Sequence, residues 1–369
     1  SQYGPRAITT VEGTTLYVFF ENPDHASHQA TVAAFDISSE QPRELWRTTG
    51  SLPESFGRPT FVSDGDQFIV GSIVIDKATG AQSLAPWEGS KALAAVDGVV
   101  VACDGKQACS GWTQESSSWV RRWETSTASQ EGGLRRSTML TYPDTPVIGT
   151  GEHQSVVLPV DSPTHLVQLL DPRTGQVTDA ASASPFRDRD NNVVSFAIAS
   201  DGIVAFNDDL VVAYDADGFI TGVHSYEKSL RRPTRDGRVP STSELTDFLV
   251  GGLPAWSNAV VTAQTGAVAL TVTPSDGSPA FDLDPANNDQ YHFSTFWPSE
   301  VRAGADVSVV YVESVEANTT GNRFFFDKAS GQGHGSAEFH DAEDLSWAFD
   351  DLAIGVTIDG VVAFTPKAS

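Results

Sequence analysis

The chain has 369 residues, is 40% hydrophobic, contains 31 glycines and 20 prolines, and carries a net charge of −25. No apolar run reaches the 18 or more residues that a membrane-spanning helix needs. Phosphate backbones would be repelled by such an acidic body, so nucleic acid is not the expected partner. Apolar strand patterns run from end to end, which argues against disorder, and the length is enough for a large all-β domain with a sizeable core.

Period-two patterns rich in β-branched and aromatic residues mark the strands. The first are Leu16–Phe20, then Thr31–Phe35 followed by Asp36, then Glu44-Leu45-Trp46-Arg47. The segment Ile73-Val74-Ile75-Asp76-Lys77-Ala78-Thr79-Gly80 follows, and it returns three times in altered form. The copies are Gln168-Leu169-Leu170-Asp171-Pro172-Arg173-Thr174-Gly175, the shortened Val212-Ala213-Tyr214-Asp215-Ala216-Asp217-Gly218, and Phe324-Phe325-Phe326-Asp327-Lys328-Ala329-Ser330-Gly331. Asp-Gly turns at Asp97-Gly98, Asp201-Gly202 and Asp359-Gly360 each open an apolar strand, expected to be an inner one.

Strand-turn-strand units that recur at about 40–50 residues indicate four-stranded blades. Third strands are expected to end near Asp36, Asp76, Trp112, Asp171, Asp215, Thr273, Asp327 and Phe364. That spacing gives an all-β propeller of eight antiparallel blades, with seven as the alternative because the units near Trp112 and Thr273 are degenerate. The last unit has no outer strand of its own, and residues near Ser1–Arg6 are expected to close the ring. The chain is read as one domain, 1–369, with insertions near 124–146 and 227–252.

The first unit, with Ala34-Phe35-Asp36 and Leu45-Trp46, resembles the repeat of quinoprotein-like (pyrroloquinoline-quinone-type) propellers. The resemblance covers essentially the whole chain. It implies a central channel which, in the dehydrogenases of that family, binds quinone with calcium, a stacking tryptophan and an adjacent Cys-Cys pair. Here Cys103 and Cys109 are separated, no calcium ligands are assignable, and Trp46 fits a blade-docking role. The expectation is therefore a non-catalytic relative.

Cys103 and Cys109 flank a turn at Asp104-Gly105-Lys106, and the alternatives are a disulfide across the hairpin or two small apolar thiols. The repeated aspartates are read as turn-formers that accept backbone N–H bonds. Asp188-Arg189-Asp190-Asn191-Asn192 and the set Asp282, Asp284, Asn287, Asn288 and Asp289 resemble calcium loops. Val193 and Ala199 break the first pattern and Ala286 the second, so no cofactor is expected and calcium stays an alternative. His25 with His28, and His334 with His340, lack zinc-site spacing. There is no Gly-x-Ser-x-Gly elbow and no Walker-type loop, so no catalytic set is assigned.

The most distinctive local feature is cationic. Lys228, Arg231, Arg232, Arg235 and Arg238 lie in the insertion 227–252, and Arg135 and Arg136 lie in the other insertion. Long loops on a regular scaffold often carry function. The run is either a docking loop for an acidic protein or an anionic cell-surface polymer, or a mobile loop that pairs with the chain's own carboxylates. Ser241, Thr242 and Glu244 suggest a short capped helix there.

The chain starts at Ser1 and its single methionine is Met139. A monomeric mature or ectodomain fragment is expected, its removed segment a signal peptide or an anchor. High Ala, Gly and Asp with few Lys suggest a high-GC bacterium. The expected role is a non-catalytic extracytoplasmic binding scaffold. The alternatives are a quinone- and calcium-dependent dehydrogenase and a glycan-binding or sensor ectodomain.

Overall fold

The computed structural model describes residues 7–21, 29–39, 41–51, 61–87, 89–104, 108–116, 118–127, 134–136, 146–160, 165–186, 194–226, 231–234, 238–263, 270–283, 298–304, 306–314, 322–329, 333–334, 344–349, 352–357 and 360–364. Successive segments of the chain form separate sheets, each built on an antiparallel meander. Blade I is Ala7–Glu12, Thr15–Glu21, Gln29–Asp36 and Arg43–Ser51. Blade II is Phe61–Asp64, Gln67–Val70, Ile73–Asp76 and Gln82–Leu84. Blade III is Lys91–Val96, Val99–Cys103, Ala108–Glu115 and Ser118–Ser126. Blade IV is Val147–Ile148, Ser155–Pro159, Val167–Leu170 and Val177–Asp179. Blade V is Val194–Ile198, Gly202–Phe206, Leu210–Asp215 and Ile220–Ser225. Blade VI is Arg231–Pro233, Ala259–Ala263, Leu270–Pro274 and Phe281–Leu283. Blade VII is Pro298–Ala303, Val309–Ser314, Asn322–Asp327 and Gly333–His334.

These seven four-stranded blades form a β-propeller, and seven is the lower of the two counts expected from the sequence. A last sheet, Asp344–Phe349, Leu352–Thr357 and Gly360–Phe364, has three strands among the described residues. Its expected outer strand from Ser1–Arg6 lies outside the described residues. The sequence overcounts because this unit repeats the strand pattern without showing a complete blade. Its first strand lies beside Ala7–Glu12, so the first and last sheets are neighbours.

First strands of adjacent blades also meet at II/III and VI/VII. First strands therefore surround the axis and fourth strands form the rim. All four copies of the aspartate repeat lie on third strands, as expected. The strands after Asp97-Gly98 and Asp201-Gly202 are second strands and that after Asp359-Gly360 is a third strand, rather than inner ones. An Asp-Gly hairpin specifies the reversal but not its place in the sheet.

The core lies between blades. Tyr17, Phe19 and Val32 of blade I pack with Phe61, Phe68 and Ile75 of blade II. Val101 and the two cysteines of blade III pack with Val156, Leu158 and Leu170 of blade IV. Blades II to VI bury both faces in this way, which explains why their middle strands read as nearly continuous apolar runs.

Two interfaces use the same polar lock. Trp46 on the rim of blade I donates from Nε1 to the Lys77 carbonyl in blade II at 3.0 Å. Trp123 of blade III donates likewise to the Pro172 carbonyl in blade IV at 2.9 Å. Each indole lies on the glycine that ends the repeat, Gly80 or Gly175, where a Cβ would come within 2.4 or 2.6 Å of the ring. Both glycines also have positive φ, 72° and 73°, as the turn requires.

Candidate functional site

The two insertions return to the middle of the ring. Leu134–Arg136 forms an added strand that pairs in parallel with Val194–Ile198, the first strand of blade V, with Arg135 opposite Ser195 and Arg136 opposite Phe196. The insertion after blade V supplies Arg231–Pro233, the first strand of blade VI, with Arg231 opposite Thr262 and Arg232 opposite Val261. Lys91 and Arg302 stand on the first strands of blades III and VII. The first strands and the added strand thus hold six cations. Their acids are Glu12, Asp64, Glu300 and Asp344, four in number. Across the whole chain the balance is reversed, with 23 Lys and Arg against 48 Asp and Glu.

The basic run is built around a helix, Thr242–Leu249, closed by the expected capping box. The Ser241 N–H donates to Glu244 Oε2 at 2.8 Å, and the Glu244 N–H donates to Ser241 Oγ at 3.3 Å. Arg238 donates to both oxygens of Glu244, at 3.0 Å from Nη1. Those bonds from Arg238, with the Ser241 N–H, hold the Glu244 carboxyl down to about 2. Asp201 of blade V accepts from the Thr242 N–H at 2.7 Å, which places an acid at the positive end of the helix. Leu245, Phe248 and Leu249 pack with Ala197, Val204 and Val211 of blade V and with Val260 of blade VI.

Arg231 closes the other end. It donates from Nη1 to the Phe248 carbonyl at 3.2 Å and from Nη2 to the Gly252 carbonyl at 2.7 Å, and its guanidinium lies over the Phe248 ring at 4.9 Å. Cations are favoured at a helix C-terminus. Burial lowers the pKa of Arg231.

Arg232 is different. It is half-buried, and its one described bond runs from Nη1 to the Arg231 carbonyl at 2.9 Å. Its Nε is buried and has no hydrogen-bond partner. Among the described residues no carboxylate pairs with it. Burial lowers its pKa, with Tyr226 acting in the opposite direction. Lys228 and Arg235 lie outside the described residues.

No family model matches the chain, and no curated protein matches it. Among solved structures it is similar to Sqt1 of Saccharomyces cerevisiae, at 9% identity and a TM-score of 0.48, over 96% of this chain and 93% of that one. It is also similar to a functionally unknown protein from Desulfotomaculum acetoxidans DSM 771, at 9% identity and a TM-score of 0.38, over 74% of this chain and 83% of that one. Neither likeness bears on function.

The repeated aspartates act as turn acceptors. Asp76 Oδ1 takes the N–H groups of Ala78 and Thr79 at 3.1 and 2.7 Å. Asp215 Oδ1 takes those of Asp217 and Phe219 at 3.0 and 2.9 Å. Asp36 accepts from the Ser38 N–H and Asp171 from the Arg173 N–H. Bonds from Ser38 and from Thr79 lower the pKa of Asp36 and Asp76 respectively. At Asp171 partial burial raises the pKa, and bonds from Thr174 and Arg173 outweigh it.

Of the calcium-like clusters, Asp188 to Asn192 lies outside the described residues, as do Asp284, Asn287, Asn288 and Asp289. Asp282 accepts from Thr271 Oγ1 at 2.7 Å across its hairpin. His25, His28 and His340 also lie outside, and His334 is placed on the last strand of blade VII. Among the described residues no group of three or more His, Cys, Asp or Glu is placed to hold a metal. No helix among them is long and apolar enough to cross a membrane.

Cys103 and Cys109 face each other on neighbouring strands and are joined as a disulfide, with Cα atoms 4.1 Å apart. The Asp104 N–H bonds to the Ala108 carbonyl one step further along, so the cysteines occupy the close, non-hydrogen-bonded register.

Sequence reasoning missed the parallel strand Leu134–Arg136, because three residues carry no measurable periodicity. It also missed the cross-blade role of Lys77, whose Nζ donates to Glu12, Ser63 Oγ and the Gly65 carbonyl. The cation one or two places after Asp76, Asp171 and Asp327 was the available signal.

Proposed function

We propose that this protein is a non-catalytic binding scaffold of the quinoprotein-like propeller type, working outside the cytoplasm at a cell surface. It takes a protein or an anionic polymer at the end of the ring where the two insertions meet the inner strands. The observation that carries this reading is the reversal of charge there, six cations to four acids on a body of net charge −25. A local excess of positive charge on an acidic body steers negatively charged ligands. The ring holds those strands in place, and the carboxylates of Asp36, Asp76, Asp171 and Asp215 are committed to turns.

The test is binding of the whole chain to an array of cell-wall and capsule glycans and acidic peptides, at low and moderate salt. Binding should concentrate on anionic members, weaken with salt, and fall in the Lys228→Gln/Arg235→Gln variant. A uniformly blank array removes the reading. Dehydrogenase turnover after loading with quinone and calcium would replace it with an enzyme.

A further inference from the structure

We propose that Arg232 anchors a discrete oxyanion site on the innermost strand of blade VI, taking one carboxylate or phosphate group of a ligand. This deepens the binding reading above and rests on it. Three observations lead there. The first is the orphaned buried Nε, with no carboxylate partner for the guanidinium among the described residues. Isolated buried charge is strongly unfavourable, and proteins ordinarily pair it. Every other described arginine of this insertion is engaged, Arg231 by two carbonyls and Arg238 by Glu244.

The second observation is which edge remains. The described bond uses Nη1, so the side-on edge formed by Nε and Nη2 has no described acceptor. That edge presents two parallel N–H groups, the geometry that a carboxylate or phosphate accepts in bidentate fashion. The residue is buried in large part but not completely. The proposal requires the long side chain to rotate so that this edge meets an incoming oxygen pair.

The third observation is position. Arg232 stands on a first strand beside Arg231, and the first strand of blade VII, with Arg302, lies against the same strand. That strand of blade VII carries Glu300 as well as Arg302, so the local positive charge is that of Arg231 and Arg232 themselves.

The experiment measures thermal and calorimetric titration of the full chain with inorganic phosphate and, separately, with glutarate, each at constant ionic strength set with chloride. The wild type should bind one or both in the millimolar range and melt at a higher temperature when loaded. The arm that responds identifies the group. Arg232→Met should lose affinity about tenfold or more, the loss of a charge-assisted pair. Without ligand it should melt at the same temperature as the wild type or higher, because a lone charge has been replaced by an apolar side chain of similar length. A merely structural arginine predicts the reverse, a lower melting temperature and unchanged anion response, and that result overturns the proposal. So does the absence of a response to both anions. Should Arg232→Met fail to fold, Arg232→Lys decides, since it keeps the charge and loses the fork; wild-type affinity in that variant is also fatal. A positive phosphate response with a blank polymer array would sink the broader function alone, and the opposite pair of results would sink the Arg232 site alone.

Discussion

Lys77 Nζ in blade II donates to Glu12 Oε1 of blade I at 3.0 Å, and the side chain of Lys77 is only 14% exposed. The same ammonium reaches Ser63 Oγ and the Gly65 carbonyl, both at 2.8 Å, and lies 4.3 Å from the centre of the Phe68 ring. At the III/IV interface Arg173 does the equivalent work, donating to Asp97 of blade III and to the Gly151 carbonyl at 2.7 Å. In both cases an acid at the first hairpin of one blade meets a cation from the repeat of the next. Asp201 extends the rule to V/VI, where its partner is the start of the helix.

Truncating Lys77 therefore does more than remove a surface charge. Lys77→Ala should cost about 1–3 kcal/mol, the range for a hydrogen-bonded charged group that leaves partners unsatisfied. Glu12→Gln should cost about 0–1 kcal/mol, because that carboxylate is half-exposed. Urea denaturation of both single variants and the double variant checks this. The pair should be non-additive, since the two residues share one contact. Additive costs would show that the bridge carries no energy.

The indole lock makes a second prediction. Gly80→Ala meets two penalties, a positive φ and a Cβ that would come 2.4 Å from the Trp46 ring. The backbone part alone is about 1–2 kcal/mol. In a Trp46→Ala background the steric part disappears, so the same substitution should cost only the backbone part. Equal costs of Gly80→Ala in the two backgrounds, measured by denaturant midpoint, would show that the indole does not rest on the turn.

The sequence announces what is periodic. Third strands, turn aspartates and the helix cap were all legible, because each depends on a local pattern: Ile73 to Ile75 is a short β-branched run, Asp76 precedes a tight turn, and Ser241 stands three residues before Glu244. What depended on three-dimensional closure was not legible. The strand Leu134–Arg136 leaves the chain between blades III and IV and pairs on blade V, a placement decided by the free inner edge of Val194–Ile198 rather than by its own residues. The basic run reads as a uniform patch, yet its described members take different roles. Arg231 and Arg238 hold the two ends of one helix while Arg232 has no carboxylate partner among the described residues, and adjacency in sequence gives no hint of that split.

The disulfide leads to a third prediction. Both cysteines are about 1% exposed, so alkylation of the folded chain without reductant should add no label and intact mass should stay unchanged. Replacing both by alanine should lower stability by at most about 2.4 kcal/mol, because so short a closed loop removes little entropy from the unfolded chain. The fold itself should survive, as Val101, Val156, Leu158 and Leu170 supply the surrounding core. A pair of labelled thiols, or a double variant that does not fold, would contradict this account.

Acid should expose the helix cap. The Glu244 carboxyl is depressed from 4.5 to about 2, first by the bond from Arg238 and then by the Ser241 N–H. A depressed carboxylate binds fewer protons in the folded chain than in the unfolded one. Its contribution is therefore complete above pH 4.5, declines as the pH falls, and is gone below about 2. Glu244→Ala removes the capping box and the Arg238 pair together, which should cost about 1 kcal/mol near neutrality. Other depressed carboxylates, Asp36, Asp76 and Asp276 among them, also weaken the fold in acid. The informative quantity is thus the difference in melting temperature between wild type and variant. That difference should be constant from pH 7 to about 5 and shrink toward zero by pH 2. A difference that stays flat through this window would mean that the Glu244 charge does not hold the helix, and that Arg238 is an ordinary exposed cation.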